Sequence, residues 1–229
     1  MKHLMKISIA VIIFSMTTQS FAQTFGIKGG LNLSNMVWDY GDTTGNYSMQ
    51  PGFHVGATAE FPISDMFAVE TGLLLSTKGC KFSEDFDIPG ASASLKGNMI
   101  LYYIDIPITA KASFNVGSAK IYGALGPYLG FGLSGKTHFE MTSTLLGQTS
   151  TLTDDETIQW GSDNEDDLKM FDFGLTAGAG VEINSIQIGV SYGLGIANIE
   201  ATSCGSKTNN RVLGISVGYK FGSNKSGKR

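Results

Sequence analysis

Two histidines and an acid-rich stretch supply the residue types from which hydrolytic or metal chemistry could be built. Of the three histidines, His3 falls in an N-terminal leader, which leaves His54 and His138 as candidates for acid–base work. His138 with Asp39 or Asp42 and Ser143 would be the loop-borne acid, base and nucleophile of a small lipid-modifying enzyme. Such a set is recognised by geometry, and no spacing in the chain fixes one. His54 falls on the polar side of an alternating segment and reads as polar packing.

Asp163, Glu165 and Asp167 alternate as hard oxygen ligands would, near Asp154, Asp155, Glu156 and Asp166. The turn glycine and the terminal bidentate glutamate of a calcium loop are missing, so the stretch reads as a solvated acidic loop. Gly178 and Gly180 have the spacing of a dinucleotide loop, yet no helix follows them. Cys80 and Cys204 fit no zinc spacing. In an oxidising compartment they can pair as a disulfide, the alternative being two free thiols. The sequence therefore assigns no catalytic residue, no metal and no cofactor.

The elements around these residues begin with an export leader. Lys2, His3 and Lys6 precede the apolar run Ile7 to Met16, and Ser20-Phe21-Ala22 ends in a small-x-small cleavage pattern. That run is about half the roughly twenty residues a spanning helix needs, so residues 1–22 read as a signal peptide and the mature chain starts near Gln23. No cysteine lies near the cut, which argues against a lipid-modified N-terminus. A net charge of −4 argues against nucleic acid as a partner. The 30 glycines sit among Phe, Tyr, Ile, Leu and Val rather than in low-complexity tracts, so the chain folds instead of remaining disordered.

Alternation of period two dominates the mature chain. From Ile186, the residues Ile188, Val190, Tyr192, Leu194 and Ile196 alternate with Gln187, Gly189, Ser191, Gly193 and Gly195. The same grammar holds for Phe171 to Ile183 and Leu213 to Phe221. Earlier in the chain it recurs over Phe25 to Leu33, Phe53 to Ile63, Phe67 to Ser76, Tyr102 to Phe114 and Ala119 to Leu133. These eight segments match the nine to eleven residues a tilted strand needs to cross a bilayer, and an even number closes without leaving an edge. Connections alternate between tight turns (Pro62 to Asp65, Asn115 to Ser118, Asn184-Ser185) and long loops (Trp38 to Gln50, Ser83 to Ser94, Gly135 to Leu168, Ala197 to Asn210). Short turns on one side and long loops on the other is the arrangement of outer-membrane barrels.

Sidedness decides between a membrane barrel and a soluble lipocalin-like ligand binder, which hides its apolar face inside. The polar set is Lys28, His54, Glu60, Glu70, Asp105, Lys111, Lys120, Asp172, Glu182 and Lys220, nearly balanced in charge and interleaved with glycines. Glycine weakens a solvent-facing strand but makes room in a narrow interior, and interior charges must neutralise one another. The apolar set carries aromatics at both strand ends. Phe25, Phe61, Phe67, Phe114, Tyr219 and Phe221 lie toward the short turns, and Phe53, Tyr102, Phe131 and Phe171 toward the loops, as interface girdles do. The reading is an all-β, eight-stranded antiparallel transmembrane barrel of small OmpA/OmpX-like architecture over residues 23–222, followed by a basic periplasmic tail at 223–229.

The opening strand Phe25-Gly26-Ile27-Lys28-Gly29-Gly30-Leu31-Asn32-Leu33-Ser34 resembles that of the PorT-like outer-membrane β-barrel family. Tyr103-Ile104-Asp105-Ile106-Pro107 and Gly218-Tyr219-Lys220-Phe221 extend the resemblance over the mature chain. It implies a Gram-negative outer-membrane location and a small barrel, and it carries no activity. Family barrels end on the terminal aromatic read by the assembly machinery, whereas this chain continues from Gly222 to Arg229. The partners implied are outer-membrane lipid and, during biogenesis, the barrel-assembly machinery; the loop partner is left open. The function expected is display of loops in a structural or adhesive role, the alternatives being a narrow porin-like channel, a soluble ligand binder or a small lipid-modifying barrel enzyme.

Overall fold

The structure, a computed structural model, describes residues 23–40, 43–88, 91–163, 165–201 and 206–221. The expected leader 1–22 and expected tail 223–229, together with Asp42 and Cys204, lie outside the described residues.

Ten strands form: β1 (Thr24–Tyr40), β2 (Thr43–Asn46), β3 (Ser48–Pro62), β4 (Phe67–Ile88), β5 (Ala91–Val116), β6 (Ala119–Leu145), β7 (Gln148–Thr157), β8 (Phe171–Ile183), β9 (Ile186–Gly195) and β10 (Ser206–Phe221). All pairings are antiparallel. The ring runs β1-β3-β4-β5-β6-β8-β9-β10 and closes on itself through β10 and β1, from Phe25↔Phe221 to Tyr40↔Ser206. These eight are the expected alternating segments. The remaining two are accessories, β2 folded back on the far end of β1 and β7 on the far end of β6.

The short turns form where expected. Asn184 has φ of 57° and Gly117 of 62°, the left-handed conformation that a two-residue hairpin demands. In the Pro62-to-Phe67 turn the Ser64 hydroxyl accepts the Phe67 N–H at 3.1 Å.

The long connections differ from the expectation of loops. β4, β5 and β6 run 22, 26 and 27 residues, well past the nine to eleven a bilayer needs. Ser83 to Ser94 is the arm of a hairpin paired out to Ile88↔Ala91, and the first part of Gly135 to Leu168 forms a second hairpin paired out to Leu145↔Gln148. Ser and Thr fill these arms; Thr favours extended backbone, but a mixed polar composition gives no lipid-facing stripe to betray a strand.

Polarity is inverted relative to a soluble protein. Leu31, Leu73 and Leu125 stand exposed on the outer face, while Lys111 and Asp172 are fully buried inside. The buried apolar cluster is confined to the mouth at the hairpin end: Met36, Cys80, Leu101 and Tyr103 of the wall meet Ile158, Leu168 and Ile199 of the connecting segments. Those segments are tied in by backbone bonds, Ile158 N–H to Gly135 O at 3.0 Å and Lys169 N–H to Ile199 O at 2.7 Å.

Candidate functional site

Alternation sends every second strand residue inward, and the interior side chains form two charged layers. In the layer nearer the short turns, Lys111 Nζ stands 2.8 Å from Glu60 and 3.2 Å from Glu70 and also bonds Glu182. Lys220 bonds Glu60 at 2.7 Å and Glu182 at 2.6 Å, and Lys28 bonds Glu70 at 2.5 Å. Three lysines against three glutamates leave this layer neutral, as a lumen poor in water requires. Lys111 also lies over the Tyr122 ring, 4.3 Å from its centroid.

The layer nearer the mouth centres on Lys78, whose Nζ lies 2.8 Å from Asp105 and 2.9 Å from Asp172. Tyr103 and Tyr128 offer it their ring faces at 4.4 and 4.7 Å. The second negative charge is met by neutral donors: Asp172 Oδ2 accepts from Asn210 Nδ2 at 3.0 Å and from the Tyr128 hydroxyl at 3.2 Å.

Between the layers His54 is held in one orientation. Asn32 Nδ2, with two hydrogens, faces three acceptors in Phe53 O, Ser76 Oγ and Thr77 O, so Asn32 Oδ1 is turned to His54, and His54 Nδ1 carries the hydrogen that Oδ1 accepts at 2.8 Å. A cavity of about 150 Å³ remains beside it, bounded by Lys28 and Glu70 on one side and Lys78 and Asp105 on the other. Glycines make this packing fit. A Cβ on Gly180 or Gly189 would lie 2.5 or 2.3 Å from the Tyr122 hydroxyl.

The sequence-derived polar set thus meets inside the ring, with one departure. Lys120 is exposed at the short-turn rim and makes no ion pair among the described residues, although it stands opposite Glu182 in the register, whose carboxylate bonds Lys111 and Lys220 instead. Lys78 was missed, lying beyond the segment recognised as alternating. The aromatics Phe25, Phe53, Phe67, Tyr102, Phe114, Phe131, Phe171, Tyr219 and Phe221 are exposed on the outer face, and Phe61 is half-buried there. Phe131 and Phe171 pack at 5.4 Å near the mouth, Tyr219 and Phe221 at 5.3 Å near the turns.

The enzymatic candidates are not brought together. His138 Nδ1 contacts Asp155 Oδ1 at 2.5 Å, both groups open to solvent. Ser143 lies five positions further along β6, about 16 Å away on the opposite face. Among the described residues no group of three or more His, Cys, Asp or Glu is placed to hold a metal ion. The loop carboxylates accept backbone bonds instead: Asp166 Oδ2 from Asp163 N–H and Asp167 Oδ2 from Gln159 N–H, each at 2.8 Å. Cys80 is a buried free thiol whose burial pushes its pKa up to about 12; it lies beyond Thr77, the partner of Tyr102.

Several solved structures are similar to this chain. Ail, the attachment invasion locus protein of Yersinia pestis, is 16% identical over 87% of this chain and 99% of its own, with a TM-score of 0.33. Neisserial surface protein A is 14% identical over 86% and 95%, with a TM-score of 0.34. The N-terminal β-barrel domain of Pseudomonas aeruginosa OprF is 12% identical over 84% and 97%, with a TM-score of 0.25. These scores are low and carry no weight of their own. No curated protein matches the sequence. A ring that closes on itself, greasy outside and charged inside, agrees with the direct sequence match of residues 21–200 to the outer membrane protein beta-barrel domain, and the chain belongs to that family.

Proposed function

We propose that the protein is a closed, non-conducting barrel of the outer membrane whose work is done by the hairpins it holds outside the cell, in a contact or adhesive role without catalysis. One observation carries this reading: the lumen is obstructed by the Lys111 layer, the Lys78 layer and the apolar mouth cluster in succession. A pore needs a continuous aqueous path, and each layer here spends its charges on its own neighbours. A cavity of about 150 Å³ is also small beside the roughly 300 Å³ or more of ligand pockets, which disfavours a lipocalin-like carrier.

In this reading residues 1–22 direct export, the two aromatic girdles sit at the lipid interfaces, and the assembly machinery inserts the barrel. The resemblance of Phe25 to Ser34 and Tyr103 to Pro107 to PorT-like barrels supports the architecture and adds no activity. Planar-bilayer recording of the purified protein tests the claim. No stepwise conductance is expected, and regular ohmic steps would replace this reading with a narrow channel.

A further inference from the structure

Beyond the mouth, β4 to β7 continue as a four-stranded sheet in the order β4-β5-β6-β7. Register fixes its two faces. Phe82, Gly97, Phe139 and Asp154 lie in one row, Glu84, Leu95, Met141 and Leu152 in the next, and Phe86, Ala93, Ser143 and Ser150 in the third. This face continues the inward side that carries Cys80 and Met99 below it, so it is turned toward the barrel axis.

The face is apolar and largely uncovered. Phe82 and Phe139 pack across Gly97 with ring centroids 5.8 Å apart, and a Cβ on Gly97 would lie 2.2 Å from the Phe82 ring. Phe86, Met141 and Leu152 are 61, 48 and 69% exposed, in a part of the molecule that no lipid-facing argument explains.

The apolar face carries carboxylates and no cation, namely Glu84, Asp154 and Glu156, whereas Lys81, Lys96 and Lys136 fall on the opposite face together with Asp85, Asp87, Glu140 and Asp155. The opposite face is otherwise a polar ladder, with Thr142 and Thr151 hydroxyls 3.2 Å apart and those of Thr144 and Thr149 at 3.0 Å. An apolar surface flanked only by carboxylates complements a segment with apolar residues on one side and cations at its borders. A second copy of the same face would set Glu84, Asp154 and Glu156 against their own kind, and phosphate-bearing lipid would meet the same repulsion.

The geometry points to the axis-facing side of the β4–β7 sheet, built on Phe86, Met141 and Leu152 with Glu84, Asp154 and Glu156 at its borders, as a docking site for cationic amphipathic peptide segments. The inference rests on the reading that these hairpins are displayed outside the cell. It supplies that reading with a class of partner.

The full-length protein in phosphatidylcholine nanodiscs is titrated with a labelled leucine–lysine amphipathic peptide, with empty nanodiscs and a leucine–glutamate analogue as references. Binding above the empty-disc level is expected, weakening as ionic strength rises. Replacing Phe86→Ser, Met141→Thr and Leu152→Thr together should weaken it about tenfold or more. Glu84→Gln, Asp154→Asn and Glu156→Gln together should remove most of the salt dependence. Because all six positions are outside the ring's span, both variants should retain the gel shift on boiling of a closed barrel. Binding equal to empty discs, equal binding by the apolar-face variant, or equal binding of the anionic analogue would each overturn the proposal. An epitope inserted at Gly147, the β6–β7 tip, and probed by antibody on intact cells separates the two failures. A surface-exposed tip without peptide binding removes only the partner, while a hidden tip removes the display reading itself.

Discussion

Lys78 and Asp172 lie 94 positions apart in the chain, on β4 and β8, and meet at 2.9 Å with almost no exposure of either side chain. The pair spans the lumen just below the mouth. It joins walls that are not neighbours in the ring, so it ties the cross-section rather than any one strand pair.

Removing the cation should therefore cost more than a surface ion pair would. Lys78→Met leaves Asp105 and Asp172 facing each other without a counter-charge and is expected to destabilise the barrel by about 3–5 kcal/mol. Asp172→Asn, which keeps a hydrogen-bonding group for Asn210 and Tyr128, should cost less. Urea unfolding from lipid vesicles measures both. Equal and small effects would mean the layer is open to water.

A second test concerns the irregularity where β3 and β4 pair, with Met49↔Cys80 on one side and His54↔Ser76 on the other. The Thr77 hydroxyl fills the gap, accepting the Phe53 N–H at 2.7 Å and donating to Phe53 O at 3.2 Å. Thr77→Val keeps the shape and strips both bonds. A loss of about 1 kcal/mol is expected, the usual worth of a part-buried hydrogen bond, and no change in unfolding midpoint would mean the gap closes by itself.

Cys80 gives a chemical readout of the mouth cluster. Burial raises its thiol pKa to about 12, so the reactive thiolate is scarce at pH 8 and alkylation by a maleimide should be far slower than for an exposed cysteine. Since the shift is upward, the rate should climb as pH rises, and unfolding should bring it to that of a free thiol. Fast labelling of the folded protein at pH 8 would show that the cluster of Met36, Leu101 and Ile199 does not cover it.

The ring was legible in the sequence because each spanning segment has to present one stripe to lipid and another to a narrow interior. Ile186 to Ile196 and Leu213 to Phe221 show that constraint with little interruption. Past Ser76 it breaks down: Thr77, Lys78, Gly79 and Cys80 are all buried, because the bulge and the mouth cluster cover both sides of the strand there. Lys78 was missed for that reason. Ile158, Leu168 and Ile199 look like stray apolar residues in polar loops, and only their meeting with Met36 and Tyr103 gives them a role. Lys120 shows the converse error, since alternation gives the face of a residue but not its partner: it stands opposite Glu182, whose carboxylate is taken by Lys111 and Lys220, and it stays in solvent.

Depth-dependent tolerance of charge tests the sidedness on which everything else rests. Leu125 pairs with Ala110 and Ala177 at mid-height of the outer face, while Leu152 lies on the β7 hairpin arm; both are exposed. In unfolding from lipid vesicles, Leu125→Arg should cost about 2–4 kcal/mol, and Leu152→Arg should stay within about 0.5 kcal/mol of the parent. Equal tolerance at the two positions would contradict the account, because an outer face indifferent to arginine is a face in water.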